Sequence, residues 1–178
     1  MARDPWRVGV ARLRRSPGSQ ISEQPRGKLG ELVVADSRVD ADSEVEADLV
    51  LTAVLGGVEV AGHVRVPWEG VCRRCGTAVH GDLDAEVREL YRVKSADDDD
   101  DDESYPLGTE DLDLRPLARD AVLLDLPLAP LCRSDCRGLC PICGADLNQG
   151  ECTCERVGGD LRWAALDAFG SKGGGAAV

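Results

Sequence analysis

Aromatic residues are scarce in this chain: one Phe, two Tyr and three Trp among 178 residues, with a single Met. A core must therefore be assembled from Val, Leu and Ala, and such a core is modest. No apolar run is long enough to span a bilayer. The N-terminus carries Arg3, Arg7, Arg12, Arg14 and Arg15 where a secretory signal would need an apolar stretch. These absences predict a cytoplasmic protein with no membrane role. Histidine is limited to His63 and His80, both on predicted strands and neither paired with a nucleophile. No glycine-rich phosphate loop follows a predicted strand. No catalytic constellation is visible, so the chain is read as a non-enzyme.

What the chain has is cysteine, eight in four close pairs: Cys72/Cys75, Cys132/Cys136, Cys140/Cys143 and Cys152/Cys154. In a reducing compartment such pairs favour metal ligation over disulfides, which are the competing reading. Cys72-Arg-Arg-Cys75-Gly and Cys140-Pro-Ile-Cys143-Gly are C-x2-C-G turns, whose spacing lets two thiolates clasp one ion. The expected cofactor is Zn2+, two ions for eight ligands. The pairs divide into two sites in three ways. Proximity favours Cys140, Cys143, Cys152 and Cys154 as a local site, and Cys72, Cys75, Cys132 and Cys136 as a long-range one. An iron–sulfur cluster stays open as an alternative, although the spacings do not follow ferredoxin patterns. A thioredoxin-like redox motif would need a βαβ context that neither pair has. Closed four-thiolate sites leave no position for a water, which makes them scaffold rather than catalyst.

Charge is unevenly spread. Residues 1–30 hold seven Lys/Arg against Asp4 and Glu23, a net of +5, which leaves −17 for the rest of a chain whose total is −12. A basic arm on an acidic body suits limited contact with a phosphate backbone. Arg7, Arg12, Arg14 and Arg15 in the arm, with Arg73, Arg74, Arg133 and Arg137 beside the cysteines, are the candidate RNA contacts. The last four also stand where they would offset the charge of tetrathiolate centres. Asp97–Glu103 is an unbroken acidic run, read as a solvated loop because calcium-ligand spacing is missing.

The apolar pattern predicts an α+β fold: an antiparallel sheet, as a meander or partly open barrel, packed by one main helix and followed by a Cys-rich zinc module. Val45, Ala47, Leu49, Leu51, Ala53 and Leu55 alternate with mostly polar neighbours. Gly56-Gly57 marks a hairpin, and Val58 to Trp68 and Val79 to Val93 alternate again. Leu114, Leu117, Ala121 and Leu124 recur at helical spacing behind Asp113, a cap candidate, and Pro116. The expected organisation is an irregular basic arm over 1–30, with one short strand near Trp6–Val10, then a β-rich core over 31–131. Within that core lie an acidic loop at 95–110 and a helix at 113–126. A zinc module over 132–155, a short helix over 156–170 and a tail over 171–178 complete the chain.

The order SPGS, VPWEGVCRRCG, an acidic loop, DLRPLARDAVLLDLPLAPLC and CRGLCPICGADLN resembles the YceD-like family, the large ribosomal RNA subunit accumulation proteins, from roughly Trp6 to Phe169. The resemblance implies a bacterial cytoplasmic protein needed for 23S ribosomal RNA to accumulate or be processed. Its gene commonly adjoins that of a small zinc-binding large-subunit ribosomal protein. Some relatives lack the CPICG cluster yet keep the first C-x2-C and a pair matching Cys132 and Cys136, in line with the split above. The partners implied are pre-23S RNA or a large-subunit assembly particle, with no DNA. An acidic adaptor for a basic ribosomal protein is the alternative, and an RNA-processing enzyme a weaker one.

Overall fold

The computed structural model describes residues 4–93 and 104–154. The expected acidic run Asp97–Glu103, the helix over 156–170 and the tail lie outside the described residues. The chain divides into two compact units, Met1–Cys136 and Arg137–Val178. In the first, the short strands β1 (Arg7–Gly9), β2 (Gln20–Glu23), β3 (Arg26–Gly27), β4 (Leu32–Val34) and β5 (Ser37–Val39) precede three long ones. These are β6 (Val45–Val54), β7 (Gly57–Val71) and β8 (Ala78–Arg92). Strands β9 (Tyr105–Pro106) and β10 (Asp111–Asp113) lead into the single α-helix of the described residues, α1 (Arg115–Asp125).

The long strands form the antiparallel meander that the alternation predicts. Val45, Ala47, Leu49, Leu51 and Ala53 of β6 are buried, as are Val58, Val60, Val64 and Val66 of β7 and Leu83, Ala85, Val87 and Tyr91 of β8. Each fully buried Val or Leu contributes about 1.5–3 kcal/mol of transfer free energy, so this apolar face is the main stabilising element. The sheet is open and mixed. Strands β2 and β3 line the outer edge of β6, and β5 meets β7 beyond the end of β6, at Arg38↔Glu69 and Ser37↔Gly70. Strand β9 joins β8 in parallel.

The hairpin loop is Leu55–Gly56, one residue earlier than Gly56-Gly57, because Val54 pairs with Gly57. Gly56 takes a φ of +84°, open to glycine at little cost. Gly57 is glycine for a different reason: a Cβ there would sit 2.1 Å from the Tyr91 carbonyl oxygen. Leu55, expected on the buried face, is 98% exposed, since the period-2 pattern ends where the turn begins.

Residues 4–30, expected as an irregular arm, are built into the body. Strand β1 pairs with β10, and β2 and β3 pair with β6. Trp6, Val8, Val10, Leu13 and Leu29 are buried in the core. The Asp4 carboxylate accepts two hydrogen bonds from Arg115 Nη2, at 3.0 and 2.9 Å, which ties the start of the chain to the first turn of α1.

Helix α1 packs on β8, β7 and β4. Its N-cap is Leu114, but the Asp113 carboxylate accepts the Arg115 N–H at 2.9 Å and so satisfies one free donor of the first turn. The buried stripe is Leu114, Leu117, Ala118 and Val122. Leu124, expected on it, is 86% exposed, because 100° per residue rotates it to the flank of a stripe centred near Ala118. Beyond the helix, Ser37 Oγ, buried on β5, donates to the Pro127 carbonyl at 2.6 Å. No helix among the described residues is long and apolar enough to cross a membrane.

Candidate metal centres

The cysteines assemble into two tetrads, Cys72/Cys75/Cys132/Cys136 and Cys140/Cys143/Cys152/Cys154, with the four sulfurs of each within 4.8 Å of one another. In the first, Cys72 Sγ lies 3.8 Å from Cys136 Sγ and Cys75 Sγ lies 3.6 Å from Cys132 Sγ. A disulfide would need about 2.0 Å. Four thiolates placed 2.3 Å from a tetrahedral ion would stand about 3.8 Å apart. No disulfide joins any of the eight cysteines, and the spacing within each tetrad is that of ligands around one ion.

Both C-x2-C-G turns use one backbone design. In the connection between β7 and β8, Cys72 N–H donates to Thr77 O at 2.8 Å and Gly76 N–H to Cys72 O at 2.8 Å. In the second unit, Cys140 N–H donates to Ala145 O at 2.8 Å and Gly144 N–H to Cys140 O at 2.9 Å. Gly76 and Gly144 have φ of +72° and +74°, the left-handed conformation that glycine adopts at little cost. Ile142 N–H points at Cys140 Sγ at 3.4 Å. An N–H aimed at sulfur favours the thiolate and fixes its direction.

The second half of the first centre comes from the segment after α1. Arg73 N–H donates to Pro130 O at 3.0 Å, and Arg74 Nη1 to Cys136 O at 2.7 Å. The two residues inside the C-x2-C turn thus hold the Pro130–Cys136 segment against it. Cys72 and Cys136 are buried, whereas Cys132 is exposed. The second centre stands in a smaller frame, an isolated bridge between Leu139 and Asp146. Asn148 Oδ1 accepts the Arg137 N–H at 2.7 Å there, and Cys143 is exposed.

Crowding splits the proton affinities of the sulfurs within each tetrad. Hydrogen bonding from the Cys132 backbone, then from Arg74 and Cys75, draws the Cys72 thiol down to about 6. Desolvation among its neighbours, then hydrogen bonding to Cys136 and Cys75, pushes Cys132 up to about 12. In the second tetrad, backbone donors from Cys143 and Ile142 draw Cys140 down to about 6, while Cys143 pushes Cys154 up to about 12. Four crowded thiols cannot all ionise unless a positive charge sits among them. Four sulfur donors at this spacing suit Zn2+ or iron, and they would hold it without an open position.

The candidate RNA-contacting arginines fall in separate places. Arg7 pairs with Asp111 at 3.2 Å, and Arg14 Nη1 donates to the carbonyls of Gly108 and Thr109 at 3.1 and 3.0 Å. Arg12 and Arg15 are exposed beside them. Arg73 and Arg74 flank the first tetrad, as does Arg133, which pairs with Asp135 at 3.3 Å. Arg137 belongs to the second unit. His63 and His80 take no part in either tetrad, and His63 Nδ1 lies 2.9 Å from Asp84 Oδ1. Thr77 went unnoticed in the sequence, although its Oγ1 lies 3.2 Å from Cys75 Sγ. Its position just after the C-x2-C-G turn is the only sequence signal for it.

Comparison with known proteins gives these residues a family. The profile of the large ribosomal RNA subunit accumulation protein YceD matches residues 60–170, a span that holds all eight cysteines. An uncharacterized protein of Mycobacterium tuberculosis is 34% identical over 91% of this chain and 80% of its own length. Another, from Mycobacterium leprae, is 36% identical over 78% of this chain and 65% of its own. A chloroplast protein of Arabidopsis thaliana, large ribosomal RNA subunit accumulation protein YCED homolog 1, is 34% identical over 35% of this chain and 19% of its own length. No solved structure matches the chain. With the profile spanning more than half of the sequence, the chain belongs to the YceD family of large ribosomal RNA subunit accumulation proteins.

Proposed function

We propose that this protein is a non-enzymatic, cytoplasmic factor of large-subunit biogenesis. It promotes 23S ribosomal RNA accumulation by binding pre-23S RNA or an early assembly particle. Zn2+ in each tetrad would be held by Cys72, Cys75, Cys132 and Cys136, and by Cys140, Cys143, Cys152 and Cys154. Such an ion supplies a cross-link and charge neutralisation, and four sulfur ligands leave it no water to activate. The observation that carries the reading is a closed four-sulfur geometry in a chain of this family. The arginines best suited to phosphate are Arg12, Arg15 and Arg73, exposed side chains with no side-chain partner among the described residues.

A second reading, an acidic adaptor for a basic ribosomal protein, is favoured by the net charge of −12. Depletion in cells tests the first reading: the 23S to 16S ratio should fall, and an unchanged ratio would overturn it. Elemental analysis of the purified chain should return two zinc ions and no iron.

A further inference from the structure

Strand β8 has one covered edge and one open one. It pairs with β7 along its whole length, Gly57↔Arg92 to Val71↔Ala78. On its other side, among the described residues, only Tyr91 and Arg92 are paired, with β9. The Arg92 carbonyl accepts the Leu107 N–H at 2.7 Å on that outer side. In an antiparallel ladder every second residue turns its N–H and C=O to the same edge. Leu90, Arg88, Glu86, Asp84, Asp82 and His80 therefore aim their backbone groups outward, with no strand among the described residues to receive them. Natural sheets cover or blunt so long an edge.

The edge has an apolar flank and an acidic rim. A groove between β8 and α1 is lined by Ala85, Val87, Leu117, Ala121 and Leu124. Leu124 is 86% exposed in it. Glu86, Glu89, Asp120 and Asp125 also line it, and Asp82 follows along the strand. The one arginine there, Arg88, is turned across the sheet to Glu59 at 2.8 Å. Asp84 is bound by Arg65 and His63, whereas Asp82, Glu86, Glu89 and Asp125 have no cationic partner among the described residues. A second copy of this chain is a poor occupant. Antiparallel pairing centred on Asp84 would set Asp82 against Glu86, like charges directly opposed.

We infer that the open edge of β8 docks an extended, Lys/Arg-rich segment of a protein partner, which adds to the sheet as a further strand. Main-chain hydrogen bonds supply affinity, and basic side chains beside Asp82, Glu86 and Glu89 supply specificity. An apolar residue of the segment covers Leu124. The site rests on the biogenesis reading only for the cellular identity of that partner. Failure with purified chain would leave the 23S depletion result untouched.

The test is titration of the zinc-loaded full chain with a short Lys/Val-alternating peptide, with a Glu/Val peptide as control, read by fluorescence anisotropy and amide hydrogen exchange. The Lys/Val peptide should bind, weaken with salt, and protect the amides of Asp84, Glu86 and Arg88. Glu86→Pro removes one outward N–H without touching the β7 ladder, and Glu86→Lys/Glu89→Lys reverses the rim. Each should weaken binding roughly tenfold or more while thermal midpoint and zinc content hold. The inference is overturned by protection outside β8, by equal binding of the Glu/Val peptide, or by indifference to both variants. Binding seen only after removal of residues 155–178 would overturn it too, since this chain's own C-terminal segment would then be the occupant. Protection of β8 that grows with protein concentration without peptide would instead assign the edge to a second copy.

Discussion

Cys72 Sγ and Cys136 Sγ stand 3.8 Å apart across 64 residues of chain. Between them run β8, β9, β10 and α1, so whatever holds this pair closes a loop around half of the first unit. The second tetrad spans only Cys140 to Cys154 and lies wholly within the other unit. Loop-closure entropy grows with the logarithm of loop length, and the difference between these two loops is about 1 kcal/mol in favour of the longer. In the metal-loaded chain, Cys136→Ser should therefore lower the thermal midpoint of the sheet by several degrees and reduce the bound metal by one ion. Cys152→Ser should also reduce the bound metal by one ion but leave the sheet transition near wild type. Equal shifts in the two variants, followed by circular dichroism, would refute the division of labour.

Close backbone approach leads to a second expectation. A Cβ on Gly62 would lie 2.0 Å from the Asp48 carbonyl oxygen, and its φ of +151° is rare for other residues. The neighbour is backbone in the paired strand β6, so nothing can rotate away. Gly62→Ala should cost about 3 kcal/mol, seen as a lower urea midpoint. Val50→Ala, on the exposed face of the same pair, should cost under about 1 kcal/mol.

The rotation of α1 separates two leucines that look equivalent in sequence. Leu117 is 1% exposed and Leu124 86%. Leu117→Ala should cost about 2–5 kcal/mol, whereas Leu124→Ser should leave stability unchanged within about 0.5 kcal/mol, both by chemical denaturation.

Those leucines also mark how far the sequence could be read. The meander was legible because β6, β7 and β8 each carry many period-2 positions, and one face of every strand is buried. Strands β1, β2 and β3 hold two to four residues each, too few to display a period, so residues 4–30 looked irregular although Trp6 and Val10 are core. Leu124 misled because spacings of three and seven fit a helix stripe in more than one phase, and only packing selects the phase. The pairing of the cysteines was legible from proximity along the chain. The backbone donors that orient Cys72 and Cys140, and the Arg74 bond to the Cys136 carbonyl, were not. They depend on turn geometry that residue types alone do not encode.

The stacked pair Tyr91 and Tyr105, with ring centroids 5.1 Å apart, sets the behaviour in alkali. Burial, then the nearby Tyr105 and Asp113, raises the Tyr91 phenol well above its usual range, and its hydroxyl donates to the Asp113 carbonyl at 3.0 Å. Burial and the hydrogen bond to Asp120 raise Tyr105 as well. A phenol whose folded value is raised favours its neutral form in the native state. That stabilisation is complete below the unfolded value of about 10 and is lost as pH climbs from there toward the folded value. The urea midpoint should hold between about pH 8 and 9.5, then fall steeply. Tyr91→Phe deletes both the phenol and its hydrogen bond. It should start about 1 kcal/mol lower at neutral pH and lose stability less steeply above pH 10. Lys28, raised by its hydrogen bond to Asp42, also loses its proton in alkali, but equally in both proteins, so the difference between the two curves isolates Tyr91. Parallel curves would show that the phenol does not govern the alkaline limit.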